Sequence, residues 1–438
     1  MHKIKRKVQI YGAILTFLIF YFSNPSPQSH FDYTFRIAEA FLSGRIGLVT
    51  TPPSWLNEFV PTGNNYYSVF PLGSVLTMLP AALLKKAGLI SQMPSATLSA
   101  IAAALIWYLL IPIGEKCGAG LKRAALNTAA IIYGTWFWSN IVFAGAWQLA
   151  LGFAALGECA AIYFTLVNKK PLLAGFFFSI AFGNRTELIL SAPFFIACLV
   201  SDPLNPADEE TKPILSSKKG KHTATGQINF SGWKTFEYFK RLVLMVYEKP
   251  RKNLLFISQF LAFPSLLLFA TFIYNYARFD SPFDFGYARI PGVLNEPWYR
   301  HGIFSMHYIP TQAWEMLLKP WHIISNFPYF LPDGFSSSIL ISSPFLIYCF
   351  VRKRNPQLAA LSWITLAMIT LIHWMHGNSG GWQFGYRYAI VSLPFIFLLL
   401  TSAERKKFTA LEVSLYIFSF VANLWALWLF NWTSYLKI

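Results

Sequence analysis

The Asp32 carboxylate is the side chain in this sequence with the clearest position for acid–base chemistry. Asp32 precedes a short stretch that ends at Leu42, in which apolar residues recur at helical spacing. This stretch lies between an apolar run that ends near Phe22 and a second that begins near Ala96. A carboxylate held just above a membrane could act as a base toward a lipid-carried substrate. The alternative is that Asp32 only caps the helix and stabilises its dipole.

Arginines near the ends of apolar runs offer a second kind of chemistry. Arg185 lies with Glu187 at the tip between two short apolar runs, and Arg387 begins another run within the stretch 380–388. A guanidinium at a membrane–water boundary can bind a lipid phosphate through paired, charge-assisted hydrogen bonds. Each arginine alone could instead extend to lipid head groups or pair with a neighbouring acid. As a set, the arginines favour a phosphate site.

The remaining ionisable residues are weaker candidates. Glu158 lies within an apolar run, where both a functional acid and a protonated acid bonded to a neighbouring helix fit the pattern. His373 and His376 lie one helical turn apart, but two histidines alone are weak evidence for a metal site. The four cysteines show no metal-binding spacing. We therefore assign no metal ligands, and dependence on a divalent cation stays open.

The composition is typical of a membrane protein. The chain has 438 residues, of which 55% are hydrophobic and 13% are charged, whereas a soluble domain carries about 25% charged residues. Apolar runs close to the length that crosses a bilayer recur along nearly the whole chain. We predict an all-α polytopic membrane protein with about 11 transmembrane helices, at residues 8–23, 96–113, 124–141, 145–167, 171–184, 188–201, 253–275, 336–351, 357–375, 387–402 and 408–430.

The distribution of positive charge predicts the orientation of the chain. The net charge is +17, and most lysines and arginines fall in alternate loops, including the basic stretch 212–252. Basic loops face the cytoplasm in bilayers and attract anionic lipids. We therefore expect a multi-pass protein of the plasma (inner) membrane with a cytoplasmic N-terminus. Membrane lipids, and not nucleic acid, are the partner that this charge predicts.

The apolar segment 69–84 decides between two topologies. If it were a span, the basic clusters at 116–123 and 169–170 would face outward, against the charge rule. The segment is also short and contains Pro71 and Pro80, which remove backbone donors from a helix. We therefore predict a helix that lies in the outer leaflet.

This topology divides the chain into three regions. Residues 1–201 form an N-terminal membrane module whose first outer loop, 24–95, carries the candidate base. Residues 202–252 form a cytoplasmic basic loop that continues into an amphipathic helix. Residues 253–438 form a C-terminal membrane module with an outer loop at 276–335, which is too long to be a simple connection.

Several motifs resemble those of one enzyme superfamily. They are Phe31-Asp32-Tyr33, Ala38-Glu39-Ala40-Phe41-Leu42, Tyr66-Tyr67-Ser68-Val69-Phe70-Pro71, Gly183-Asn184-Arg185-Thr186-Glu187, Tyr274-Asn275-Tyr276-Ala277-Arg278-Phe279-Asp280 and Phe384-Gly385-Tyr386-Arg387-Tyr388. Together they look like the bacterial C-type (GT-C) glycosyltransferases, which are multi-pass enzymes related to the polyprenyl- or dolichyl-phosphate-mannose-dependent transferases. The resemblance spans most of the chain. It implies a cytoplasmic N-terminus, in-plane helices in the first outer loop and an acidic base in that loop.

The resemblance also implies a reaction. A sugar would move from a polyprenyl-phosphate-linked donor to a glycan, lipid or protein acceptor on the extracytoplasmic side, with Asp32 as general base and no cofactor besides the donor substrate. The residues implied to bind the donor phosphate or sugar are Arg36, Tyr67, Arg185, Glu187, Arg278 and Arg387. The sequence departs from the superfamily in three respects. Tyr33 follows Asp32 where a second acid is common, and the second outer loop, 139–148, contains no acid. Leu72 and Tyr386 stand where prolines are expected.

A polytopic transporter or a flippase for lipid-linked sugars is the alternative. Such proteins usually place ionisable residues near the bilayer midplane and show repeated halves. In this sequence the candidate charges gather at the predicted outer rim, apart from Glu158, and we find no internal repeat.

The predicted topology can be tested by labelling. Single cysteines introduced by Ser43→Cys, Lys85→Cys and Ser305→Cys should all react with a membrane-impermeant thiol reagent in intact cells, because only an outward position of all three places the basic clusters inside. Labelling of the Lys85→Cys variant only after permeabilisation would contradict the in-plane helix and require a different number of spans.

Overall fold

The computed structural model describes residues 2–26, 29, 31–204, 250–405 and 407–436, and most of them are helical. Within these ranges, five helices are long and apolar enough to cross a membrane, namely Ser95–Lys116, Ala146–Val167, Pro250–Phe279, Pro356–Met375 and Ala410–Trp432. These helices confirm the prediction of a helical membrane protein at this coarse level. The number of about 11 spans stays a prediction.

The helices of the first half differ in length and continuity. They are α1 (His2–Ser23), α2 (Tyr33–Phe41), α3 (Leu72–Leu76), α4 (Leu79–Lys86), α5 (Ser95–Lys116), α6 (Leu121–Tyr133), α7 (Phe137–Phe143), α8 (Ala146–Ile162), α9 (Pro171–Asn184) and α10 (Ala192–Ser201). The predicted span 124–141 is therefore two helices. Gly134 follows the last residue of α6, and α7 is followed by Ala144, whose backbone is left-handed with φ of 52°.

The second half has fewer long helices than the apolar runs suggested. Its helices are α11 (Pro250–Phe279), α12 (Ile309–Leu317), α13 (Ile339–Ser342), α14 (Pro356–Met375), α15 (Leu393–Thr401) and α16 (Ala410–Trp432). The continuous helix predicted at 336–351 is wrong, because only α13 and a 3₁₀ helix at Pro344–Phe350 form there. Serines at 336–338 and 342–343 compete for backbone hydrogen bonds, and Pro344 lacks a donor.

Two small antiparallel hairpins accompany the helices. β1 (Phe59–Thr62) pairs with β2 (Asn65–Ser68), with Val60 opposite Tyr67, and β3 (His322–Ile323) pairs with β4 (Phe330–Leu331). Val60 packs in a buried cluster with Phe279 and Tyr299. The first loop and the segment after α11 therefore lie on the same side of the bundle. This loop side consists of residues 31–94, 280–338 and 376–386.

The segment 69–84 forms two helices, α3 and α4, where one in-plane helix was predicted. Pro71 precedes α3 and Pro80 lies in the first turn of α4, where a missing N–H removes no helical bond. α3 packs on the end of α9, since a Cβ atom added at Gly73 would lie 2.4 Å from the Cα atom of Gly183. This contact fixes the first loop beside the turn that carries the arginine following α9.

The predicted division into three regions stays a prediction. Most of the region 202–252, including its amphipathic helix, lies outside the described residues. The other two regions pack directly against each other, as the contact between α8 and the 3₁₀ helix at Arg387–Ser392 shows.

All four cysteines are buried and free.

Close packing of α8, α9 and α11 depends on glycine. A Cβ atom at Gly157 of α8 would lie 2.6 Å from the backbone nitrogen of Ala181, and one at Gly175 of α9 would lie 1.9 Å from the carbonyl oxygen of Phe260 in α11. Small residues allow membrane helices to approach this closely, so that van der Waals contact stabilises them.

We therefore expect Gly175→Ala to lower the free energy of unfolding by about 1–3 kcal/mol, because α9 and α11 must separate. Thermal unfolding in detergent measures the effect. Gly120→Ala is the matched control, since no atom lies within 4 Å of a Cβ atom added there. Equal melting temperatures for the two variants would show that the α9–α11 contact does not limit stability.

Candidate functional site

The N-terminal end of α8 is the point where distant segments of the loop side meet. The backbone N–H of Ala146 donates to the carbonyl oxygen of Phe31 at 2.9 Å. The indole ring of Trp147 lies 5.3 Å from the ring of Phe31 and 5.2 Å from the ring of Tyr33, measured between centroids. These contacts bring the start of α2, and with it Asp32, beside the first turn of α8.

Arg387 approaches the same indole ring from the C-terminal half. Its guanidinium carbon lies 5.9 Å from the ring centroid of Trp147 and 5.6 Å from that of Tyr388. Gly380 leaves the room for this side chain, because a Cβ atom there would lie 2.7 Å from the Arg387 Nε atom. Gln383 accepts a hydrogen bond from the backbone N–H of Arg387 at 2.7 Å and so fixes the turn.

The guanidinium of Arg387 has no acceptor among the described residues. The side chain is buried and its Nε atom makes no hydrogen bond there. No described carboxylate comes within 4.0 Å of it. A buried cation without a partner is unfavourable unless an anion completes the site. Aromatic rings on Trp147 and Tyr388 supply partial compensation. The Nη atoms, unlike the Nε atom, are not fully buried and could donate hydrogen bonds to a phosphate.

Arg185 lies beside Arg387 but is neutralised by the protein. Its guanidinium carbon is 4.8 Å from the ring centroid of Tyr388, so both arginines contact the same ring. The Arg185 Nη2 atom lies 2.7 Å from a carboxylate oxygen of Glu187, which is 3.2 Å from the Nε2 atom of His373. The structure thus brings Arg185, Glu187 and Arg387 together. Of the two arginines, only Arg387 has a guanidinium without a carboxylate partner among the described residues.

Asp32 forms an ion pair and does not cap α2. Its Oδ1 atom accepts from the Arg36 Nε atom at 2.7 Å, and its side chain makes no hydrogen bond to a helix N–H. Burial raises the pKa of Asp32 above its ordinary value, while the hydrogen bond and positive charge of Arg36 oppose the rise. The alternative that Asp32 caps α2 through a side-chain hydrogen bond is therefore wrong. Its carboxylate is instead bound by Arg36.

Arg278 and Tyr67 lie in a separate cluster. Arg278 is buried and donates to the carbonyl oxygens of Ser68 and Tyr274 and, at 2.6 Å, to the side-chain oxygen of Asn275. The Tyr67 ring packs edge-on against Phe279. Both residues join β2 to the end of α11, and the protein already satisfies the Arg278 donors. The structure gives these two candidates a packing role.

No local pattern in the sequence singles out Glu58 or Trp147. The Trp147 indole N–H donates to the Glu58 Oε2 atom at 2.8 Å, across 89 residues of sequence. Burial raises the pKa of Glu58 to about 7, while the Trp147 hydrogen bond and the charge of Arg387 oppose this rise. A second carboxyl group therefore lies at the site, near Arg387.

The part of the chain that the structure describes contains no group of three or more histidine, cysteine or acidic side chains arranged to hold a metal ion. Comparisons with protein-family models, with curated proteins and with solved structures found no match to this chain.

The contrast between the two arginines predicts opposite effects on stability. Arg185→Met should lower the free energy of unfolding by about 1–3 kcal/mol, because it leaves a partly buried carboxylate with only a histidine partner. Arg387→Met should not lower it, and should raise it by up to about 2 kcal/mol, because an unpaired buried cation is removed. Thermal unfolding in detergent without ligand compares the two variants. An equal loss for both would show that Arg387 has a structural partner.

Proposed function

We propose that this chain is a glycosyltransferase that moves a sugar from a polyprenyl-phosphate-linked donor to an acceptor on the extracytoplasmic side of the membrane. The observation that carries the proposal is the buried Arg387 guanidinium, which has no acceptor among the described residues. A lipid-linked sugar phosphate presents a phosphate anion at the membrane surface, beside a sugar that can pack on aromatic rings. The first-loop acid Asp32 and the motif resemblance support the same assignment.

In the proposed reaction an acceptor hydroxyl attacks C1 of the donor sugar. The C1–O bond to the phosphate breaks, and its electron pair remains on the departing polyprenyl phosphate. The Asp32 carboxylate takes the proton of the acceptor hydroxyl, a contribution of about 10²–10⁴-fold in rate. Arg387 stabilises the negative charge that grows on the phosphate. The step is balanced, because the proton of the acceptor hydroxyl moves to Asp32 and the electron pair of the broken bond stays on the phosphate.

The other site residues act through these two. Arg36 holds the Asp32 carboxylate in one orientation through the 2.7 Å contact. Glu187 and His373 hold Arg185 against Tyr388, and the same ring contacts Arg387. Because Glu187 neutralises Arg185, this arginine positions the Tyr388 ring beside Arg387 and is not free to bind the phosphate itself.

Transport or flipping of a lipid-linked sugar is a second candidate function. The observation that favours it is Glu158 in the long helix Ala146–Val167, where an acid is expected to be functional. Glu158 is fully buried; one carboxyl oxygen accepts from the Ser191 hydroxyl at 2.7 Å, and the other has no partner among the described residues. Loss of lipid-linked sugar movement across the membrane in Glu158→Gln, with sugar transfer intact, would favour this candidate.

Asp32→Asn tests the proposed transferase directly. Asparagine retains an oxygen that can accept from Arg36, so we expect folding and donor binding to persist. It cannot take the proton of the acceptor hydroxyl, so turnover should fall by about two orders of magnitude or more. Sugar transfer and donor binding are measured in membranes that contain equal amounts of each protein.

Glu39→Gln is the control in the same helix, because Glu39 also forms an ion pair, at 2.6 Å to Lys85, and lies on α2. It should transfer sugar at close to the native rate. Native turnover in Asp32→Asn would mean that Asp32 is a structural partner of Arg36 and that the general base lies elsewhere.

A further inference from the structure

Glu58 is a second carboxyl group at the site, and it forms no ion pair with any described residue. It precedes β1, is partly buried, and its Oε2 atom accepts the indole N–H of Trp147 at 2.8 Å. The Trp147 ring is the one that the Arg387 guanidinium also contacts. The carboxyl and the unpaired guanidinium therefore lie around one indole ring, yet they do not come within 4.0 Å of each other.

Burial favours the neutral form of Glu58, against the opposing effects of the Trp147 hydrogen bond and the charge of Arg387. Arg387 is the positive group that faces it, whereas Glu296, Tyr33 and Tyr287 face it from the other packed segments and contribute no positive charge. Glu296 itself accepts from the indole N–H of Trp298 at 2.7 Å. With the pKa of Glu58 raised to about 7, a large fraction of the carboxyl carries a proton at neutral pH, and the neutral form leaves Arg387 without a competing anion.

We propose that Glu58 is the proton-bearing carboxyl of the Arg387 phosphate site: it is neutral when the donor phosphodiester binds, and it gives its proton to the phosphate that departs. This inference rests on the proposed function. It assigns the two carboxyl groups of the site opposite tasks, Asp32 as base toward the acceptor and Glu58 as acid toward the leaving group.

The proton balance of the reaction fits this assignment. The donor phosphodiester carries one negative charge, and breaking the C1–O bond would leave a phosphate monoester with two. A phosphate monoester binds its second proton with a pKa of about 6, about one unit below that of Glu58, so transfer of the Glu58 proton to the phosphate is unfavourable by only about tenfold. The Glu58 proton forms the new O–H bond on the phosphate, and Asp32 holds the proton of the acceptor. After products leave, Asp32 releases its proton to water and Glu58 takes one from water.

The assignment predicts that binding of a phosphodiester weakens as the pH rises. Ionised Glu58 adds a negative charge that competes for Arg387, and a raised pKa means that this charge appears only above neutral pH. A suitable probe is the farnesyl methyl phosphodiester, which keeps a single negative charge throughout and needs no sugar. From about pH 6 to about pH 8.5, affinity of the full-length protein should fall roughly 30-fold if only the neutral form binds and its pKa is about 7.

Glu58→Gln should abolish most of this dependence, because the amide stays neutral and its oxygen can still accept from Trp147. Its affinity at the higher pH should exceed that of the native protein by about tenfold or more. Glu296→Gln is the matched control, since it also bonds an indole N–H; it should keep the pH dependence with a slightly lower midpoint.

Two results would overturn the inference in distinguishable ways. In the first, Arg387→Met abolishes binding of the probe, but the affinity of Glu58→Gln for the probe falls with pH as steeply as that of the native protein. Glu58 is then not the titrating group, and the proposed function stands. If the native protein fails to bind the probe at any pH, or Arg387→Met binds it equally well, then the phosphate site and the inference fall together.

Discussion

The contact between Trp147 and the segments around it is the interaction on which the candidate site depends. The indole ring packs on Phe31 and Tyr33 from the first loop, donates to Glu58 before β1, and lies under the Arg387 guanidinium from the C-terminal half. Without this ring at the start of α8, no single element would connect the two carboxyl groups to the arginine. Glycines at 73, 157, 175 and 183 let the supporting helices approach closely enough to hold that arrangement.

An unpaired buried cation is a feature that folding alone disfavours. Arg185, Arg278 and Arg36 each have protein acceptors, and each therefore contributes to holding its neighbours in place. Arg387 is different, because among the described residues its guanidinium contacts two aromatic rings and no hydrogen-bond acceptor. Local arrangements that reduce stability tend to persist at functional sites. This contrast, and not the number of arginines, is the physical basis for placing a phosphate at Arg387.

Sequence patterns predicted the class of fold and part of the site. Apolar runs identified the long helices, and positions at the ends of runs selected Asp32, Arg185 and Arg387. The prediction of a continuous helix at 336–351 was wrong, because buried serines and a proline prevent such a helix there. Position along the chain could not separate Arg278 from Arg387, because the difference lies in which acceptors the fold brings near. Glu58 was missed for the same reason: its environment is created by a tryptophan 89 residues away.

The most direct test of this account is an experimental structure of the protein bound to a farnesyl-phosphate-linked sugar. We expect a phosphate oxygen within about 2.7–3.2 Å of the Arg387 guanidinium nitrogens and the sugar on the side of Asp32. Binding of the phosphate in the cleft lined by His322, Asp333 and Trp382, with Arg387 left unpaired, would contradict it.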